Sequence, residues 1–132
     1  MSAPDAFLLG LFREEMGAHS AVLTDGLLTL ERGGSSKERI EPLMRAAHSI
    51  KGAARVVNLL PAVHVAHEME DVLVAAGEGR VILDAATVDI LLGALDWMVG
   101  MSAIADDALA DWLEEHEAEA AGWVAKIGDC LG

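Results

Sequence analysis

Apolar residues recur every three or four positions along almost the whole chain, and that spacing admits little besides amphipathic helices. From about Pro4 to Arg32 the stripe runs Leu8, Phe12, Met16, His19, Leu23, Leu27, Leu30. Pro4 suits a first helical position, because its missing N–H would have no partner there. Gly17 and Gly26 weaken this segment or mark close packing, and Gly33-Gly34 ends it. A second helix opens at Ser35 or Ser36, and Ser35 with Glu38 has the spacing of a capping box. Its inward face reads Ile40, Leu43, Met44, Ala47, Ile50, Ala54, Val57. It stops near Asn58, since Pro61 disfavours a helical residue ahead of it.

The third helix starts at Pro61, turns Val65, Ala66, Met69, Val72, Leu73 and Ala76 inward, and closes at Gly77 and Gly79. Residues 80–83 are a connector; Val81-Ile82-Leu83 has strand composition but nothing else in the chain to pair with. Asp84 caps a fourth helix carrying Val88, Leu91, Leu92, Leu95 and Met98 on one side. The segment from Gly100 to Ala105 is the loosest. Asp106 or Asp107 then caps a fifth helix with Leu109, Trp112, Leu113, His116, Ala120, Trp123, Val124, Ile127 and Leu131 on its apolar face. Glu114, Glu115, Glu117 and Glu119 form its solvated side, while His19 and His116 sit on apolar stripes as packing residues. The expected architecture is all-α: a single domain over residues 1–132, built as an antiparallel bundle of about five helices, a four-helix core plus one extra.

Composition narrows the function. With 132 residues and 53% hydrophobic content the chain can bury a core without staples. The lone Cys130 allows no internal disulfide, which suits a reducing compartment. No signal peptide and no apolar run of about 20 residues are read, so a soluble, cytoplasmic protein is expected. A net charge of −13 argues against nucleic acids and anionic membranes as partners. That charge is uneven. Residues 32–55 hold six of the nine basic side chains (Arg32, Lys37, Arg39, Arg45, Lys51, Arg55) and two acids, a local +4 against −17 elsewhere. Either an anionic group visits this island or the clustering belongs to a solvated helix face.

The island contains the most informative stretch, Ala46-Ala47-His48-Ser49-Ile50-Lys51-Gly52. On a helix, His48, Lys51, Gly52 and Arg55 share one stripe, while Ala47, Ile50 and Ala54 face the core. Gly52 costs about 1 kcal/mol relative to alanine in a helix interior, and it leaves one side of the His48 ring uncovered. A nucleophilic imidazole needs one ring nitrogen free and the other donating a hydrogen bond. Lys51 is placed to supply a cation for an anionic group on the ring. The third helix offers the acceptor: His67 and Glu70 share a face, and a short connector would set that helix antiparallel beside His48.

These residues resemble the histidine phosphotransfer family: a histidine with lysine-glycine three and four positions later, and a later His67-x-x-Glu70 pair. More narrowly, the chain is similar to the N-terminal phosphotransfer domain of CheA-type chemotaxis histidine kinases. The likeness covers nearly the whole chain in helix number and order, with specific residues concentrated in 45–73. It implies that His48 accepts a phosphoryl group, Lys51 contacts it, Glu70 orients the ring and His67 supports that network. Gly52 and Arg55 would lie where the phosphate and the partner approach. The implied partners are a histidine kinase catalytic domain and a response-regulator receiver domain, in a two-component, chemotaxis-like phosphorelay. No cofactor is expected in the domain itself; ATP and magnesium would belong to the partners. The isolated domain would be a carrier and not an enzyme, either free-standing or part of a larger kinase. Many relatives have a further glycine and an aromatic after the motif, where this chain has Ala53-Ala54-Arg55-Val56-Val57. Two other readings compete. His64 and His67 with Glu68 and Asp71 suggest a metal site, although no zinc-hydrolase spacing and no cysteine pair accompany them. A plain docking bundle would explain the helices but not Gly52 or the basic island.

Overall fold

The structure is a computed structural model that describes residues 5–33 and 36–132. Its helices are α1 (Ala6–Gly33), α2 (Lys37–Val56), α3 (Leu60–Gly77), α4 (Ala85–Ser102), α5 (Leu109–Glu115) and α6 (Glu117–Asp129), with no strand among the described residues. Pro4, Gly34 and Ser35, assigned above to helix ends, lie outside the described residues. Asp5 caps α1, its Oδ1 accepting from the N–H groups of Phe7 at 2.8 Å and Leu8 at 3.2 Å. Ser36 caps α2 through the Arg39 N–H. Pro42 stands inside α2. It forfeits one backbone hydrogen bond, and the buried Ile40 and Leu43 on either side keep the helix on the core.

Two left-handed residues make the turns that order the bundle. Asn58 (φ 56°) follows α2. Its N–H donates to Arg55 O, and the Leu59 N–H donates to Ala54 O. Gly79 (φ 79°) follows α3, with the matching pair Gly79 N–H to Ala76 O and Arg80 N–H to Ala75 O. Both are the paired closure that satisfies the last helical carbonyls. Asparagine is one of the few side chains that tolerates this backbone, which is why a chain without glycine at 58 still turns sharply there. The turn folds α3 back along α2, the most extensive helix pairing in the molecule. Helix α1 packs on the other side of α2, α6 packs on α3, and α4 closes the bundle against α1 and α6.

The core is continuous and apolar, and among the described residues no polar or charged one is buried in it. It includes most of the residues expected from spacing; Leu8, Met44, Leu92, Trp112, Trp123 and Val124 are only partly buried, Leu131 is exposed, and Leu9, Ala46 and Ala94 are buried as well. Gly26 marks a close approach, since a Cβ there would lie 2.1 Å from Leu43 Cδ2. Helix α4 is long and apolar enough to cross a membrane, with a mean hydropathy of 1.3 over 18 residues, but its inward face, including Leu91, Leu95 and Met98, is buried in this core.

The expected fifth helix is two helices. His116 breaks it at φ −112°, ψ 17°. Its Nδ1–H donates to Trp112 O at 2.6 Å, its backbone N–H reaches the same carbonyl, and its ring stacks on Trp112 with centroids 4.0 Å apart. A side chain competing for a helical carbonyl is a known way to end a helix. Neither Asp106 nor Asp107 caps α5, whose N-cap is Ala108 without a side-chain bond. Asp106 is instead paired with Arg13 at 2.6 Å. The same guanidinium donates to Ser102 O at 2.7 Å and Ile104 O at 2.8 Å. The segment expected to be loosest is therefore clamped to α1. His19, about three-quarters covered on its stripe, also pairs with Glu15 at 2.8 Å.

Arg13→Met keeps the aliphatic stem and removes all three contacts. It should destabilise the fold by about 1–2 kcal/mol, read as a lower urea midpoint with an unchanged slope; an unchanged midpoint would show that the clamp contributes nothing.

Candidate functional site: a histidine–glutamate–lysine cluster

The Asn58 turn sets the register of α2 against α3. His48 lies ten residues before Asn58, and Glu70 lies ten residues after Leu60. At about 1.5 Å per helical residue His48 stands about 12 Å from the end of α2 and Glu70 about 15 Å from the start of α3, at comparable heights in the bundle. Glu70 meets two side chains of α2 there. Its Oε2 is 2.6 Å from His48 Nδ1, and its Oε1 is 2.5 Å from Lys51 Nζ. The carboxylate and the ammonium are largely covered, with side-chain exposures of 16% and 12%, whereas the His48 side chain is 66% exposed.

Burial opposes ionisation of Glu70, but the hydrogen bonds from Lys51 and then His48, with their charges, outweigh it and hold the carboxyl below its ordinary value. An anionic Glu70 accepts the Nδ1–H of His48, which fixes the tautomer and leaves the lone pair on Nε2 facing outward. The geometry is that of an oriented nucleophile.

The other expected residues fall into place unevenly. Lys51, expected at the phosphoryl oxygens, is first of all the partner of Glu70; an ammonium has two further donors for an incoming anion. His67 is not joined to the cluster: its Nε2 lies 3.3 Å from Asp71 Oδ2, and its side chain is half exposed. His67, Glu68 and Asp71 bring one ligand atom each within 4.8 Å of one another; His64 is exposed and stands outside that group. Arg55 is exposed two turns beyond His48.

Gly52 is open. A Cβ there would meet nothing within 4 Å, so no neighbour in the domain requires glycine. It borders a groove of about 400 Å³ between α1 and α2, lined also by Leu8, Leu11, Phe12, Ser49, Ala53 and Val56. The sequence reading assigned no role to this groove. Its signal was present, because 49, 52, 53 and 56 recur at helical spacing and Val56 falls outside the core set.

Comparison with known proteins identifies the family. The sequence profile of the Hpt domain matches residues 8–119. The chain belongs to the Hpt domain family. Hpt domains are histidine phosphotransfer modules, phosphoryl carriers of two-component signalling. This Hpt domain is 32% identical over 100 residues to the chemotaxis protein CheA of Borreliella burgdorferi, covering 76% of this chain and 12% of that protein. It is 36% identical over 89 residues to the gliding motility regulatory protein of Myxococcus xanthus, covering 67% of this chain and 11% of that one. The chain thus spans about an eighth or less of the length of these relatives. Among solved structures it is similar to the phosphorylated P1 domain of CheA3 in complex with CheY6 from R. sphaeroides. That likeness has a TM-score of 0.73 and 27% identity, and covers 93% of this chain and 97% of the other.

Two outcomes follow from the cluster. Gly52→Ala should stabilise the domain by up to about 1 kcal/mol, from helix propensity with no clash, while slowing phosphoryl transfer; thermal melts and transfer rates read the two effects separately. The depressed carboxyl of Glu70 contributes stability that is fully present above the ordinary value of 4.5 and is lost as pH falls through the lower folded value. Glu70→Gln should therefore flatten the acid limb of the stability curve below about pH 4.5 and leave the slope above it unchanged.

Proposed function

We propose that this Hpt domain carries its phosphoryl group on Nε2 of His48. The observation that supports this best is the Nδ1–Glu70 hydrogen bond at 2.6 Å on a ring whose opposite edge is open to solvent. A histidine kinase active site, in the same polypeptide or another, presents ATP. The Nε2 lone pair attacks the γ-phosphorus, the N–P bond forms, and the bond to the bridging oxygen of ADP breaks. The ring becomes cationic, and Glu70 balances that charge. Lys51 keeps Glu70 ionised and offers its remaining N–H groups to the phosphoryl oxygens. A receiver-domain aspartate then attacks the phosphorus, the N–P bond breaks, and its electrons return to Nε2.

The domain supplies the acceptor and its orientation; nucleotide, magnesium and catalysis belong to the partners, so it is a carrier and not an enzyme by itself. The apolar groove beside Gly52 is where a receiver would seat, next to the ring. The similar P1 domain, phosphorylated and in complex with CheY6, supports the receiver as partner, and the CheA relatives support a chemotaxis-type kinase working in the cytoplasm.

The test is phosphorylation of the chain by a CheA-type kinase core and ATP. Wild type should gain acid-labile, base-stable phosphate and His48→Gln none; equal labelling of both would place the acceptor elsewhere. Glu70→Gln should slow labelling by roughly tenfold or more, the scale at which metal-binding histidines suffer when their hydrogen-bond partner is lost, and a wild-type rate would remove Glu70 from the mechanism.

A further inference from the structure

A second, larger groove lies at the α2–α3 turn end of the bundle, about 690 Å³ in volume. Its apolar floor includes Val56, Leu60 and Leu113, with Val56 and Leu60 exposed at 66% and 51%. Its rim carries Asp5, Asp111, Glu114 and Glu117, and among the described residues no basic one lines it. Asp111, Glu114 and Glu117 are three residues apart, from α5 into the start of α6.

We propose that this groove is a docking site for a basic, amphipathic helical segment of a protein partner. Charge and shape select that occupant together. The floor asks for an apolar stripe, which the solvent-exposed Leu60 and Val56 now lack. The rim asks for cations about one turn apart, the spacing at which one helix face presents lysine and arginine. The groove adjoins the one beside Gly52 at Leu8 and Val56, but the rest of its lining lies at the turn and on α5 and α6. Val56 is eight residues past His48, about 12 Å along α2, and the walls come from α5 and α6, which contribute nothing to the histidine–glutamate–lysine cluster. A partner held here leaves Nε2 open and borders, at Leu8 and Val56, the surface proposed for the receiver. This reading does not depend on His48 being the acceptor.

The probe is a synthetic 18-residue Leu/Lys peptide with one apolar helical face, titrated into the 132-residue chain and followed by amide chemical shifts and calorimetry. Shifts should cluster at Leu60, Ala110 and Leu113 and spare Ser49 and Gly52. Leu60→Ser and the double change Glu114→Gln with Glu117→Gln should each weaken binding about fivefold or more, with His48 labelling unchanged. Several results would overturn the proposal: no binding, equal binding of a same-composition peptide with scrambled order, or shifts centred on Gly52. Concentration-dependent self-association lost in Leu60→Ser would assign the groove to a second copy of the chain instead.

Discussion

One carboxylate shared by two side chains of the neighbouring helix is what the site hangs on. Glu70 reaches from α3 to both His48 and Lys51 of α2. It does so only because the two helices run antiparallel in a fixed register, and the left-handed Asn58 fixes that register. Moving the turn by a single residue would rotate Glu70 by about 100° around its helix and leave His48 and Lys51 without their acceptor. The turn, the pairing of α2 with α3 and the orientation of the ring are therefore one structural unit.

Around that unit the bundle separates stability from chemistry. Among the described residues no polar or charged residue is buried in the core, so apolar packing supplies the driving force, with the buried, unpartnered Nε1 of Trp97 as a polar atom at its edge. The cluster sits at the core's edge, where Lys51 and Glu70 are covered enough to interact strongly and the ring is still open. Gly52 belongs to the same division. No described residue touches its Cβ position, so the space above it serves whatever approaches the ring from outside.

The short helix α5 illustrates how tertiary contacts redirect local preference. Asp106 and Asp107 have the chemistry of N-caps, but Arg13 draws Asp106 away and takes two backbone carbonyls of the connector with the same guanidinium. His116 sits on a continuous apolar stripe, yet its ring bonds the Trp112 carbonyl and stops the helix. Both partners are long-range or depend on a rotamer, and neither is encoded in a three-to-four repeat. Lys51 and His67 followed the same logic: spacing put them on the right faces but did not say which acid each would meet.

The sequence by itself determined the helical class, nearly all of the core and the identity of His48, Glu70 and Lys51 as candidates. Periodicity reports which face of a helix is buried, and a histidine, lysine and glycine on an exposed face of a buried helix stand out against it. Tertiary structure decided which atoms meet. It gave Lys51 to Glu70, His67 to Asp71 and Arg13 to the α4–α5 connector, because hydrogen bonds select partners over distances of about 3 Å, finer than any spacing rule resolves. It also made the two grooves, whose walls come from helices far apart in sequence and exist only once the bundle has closed.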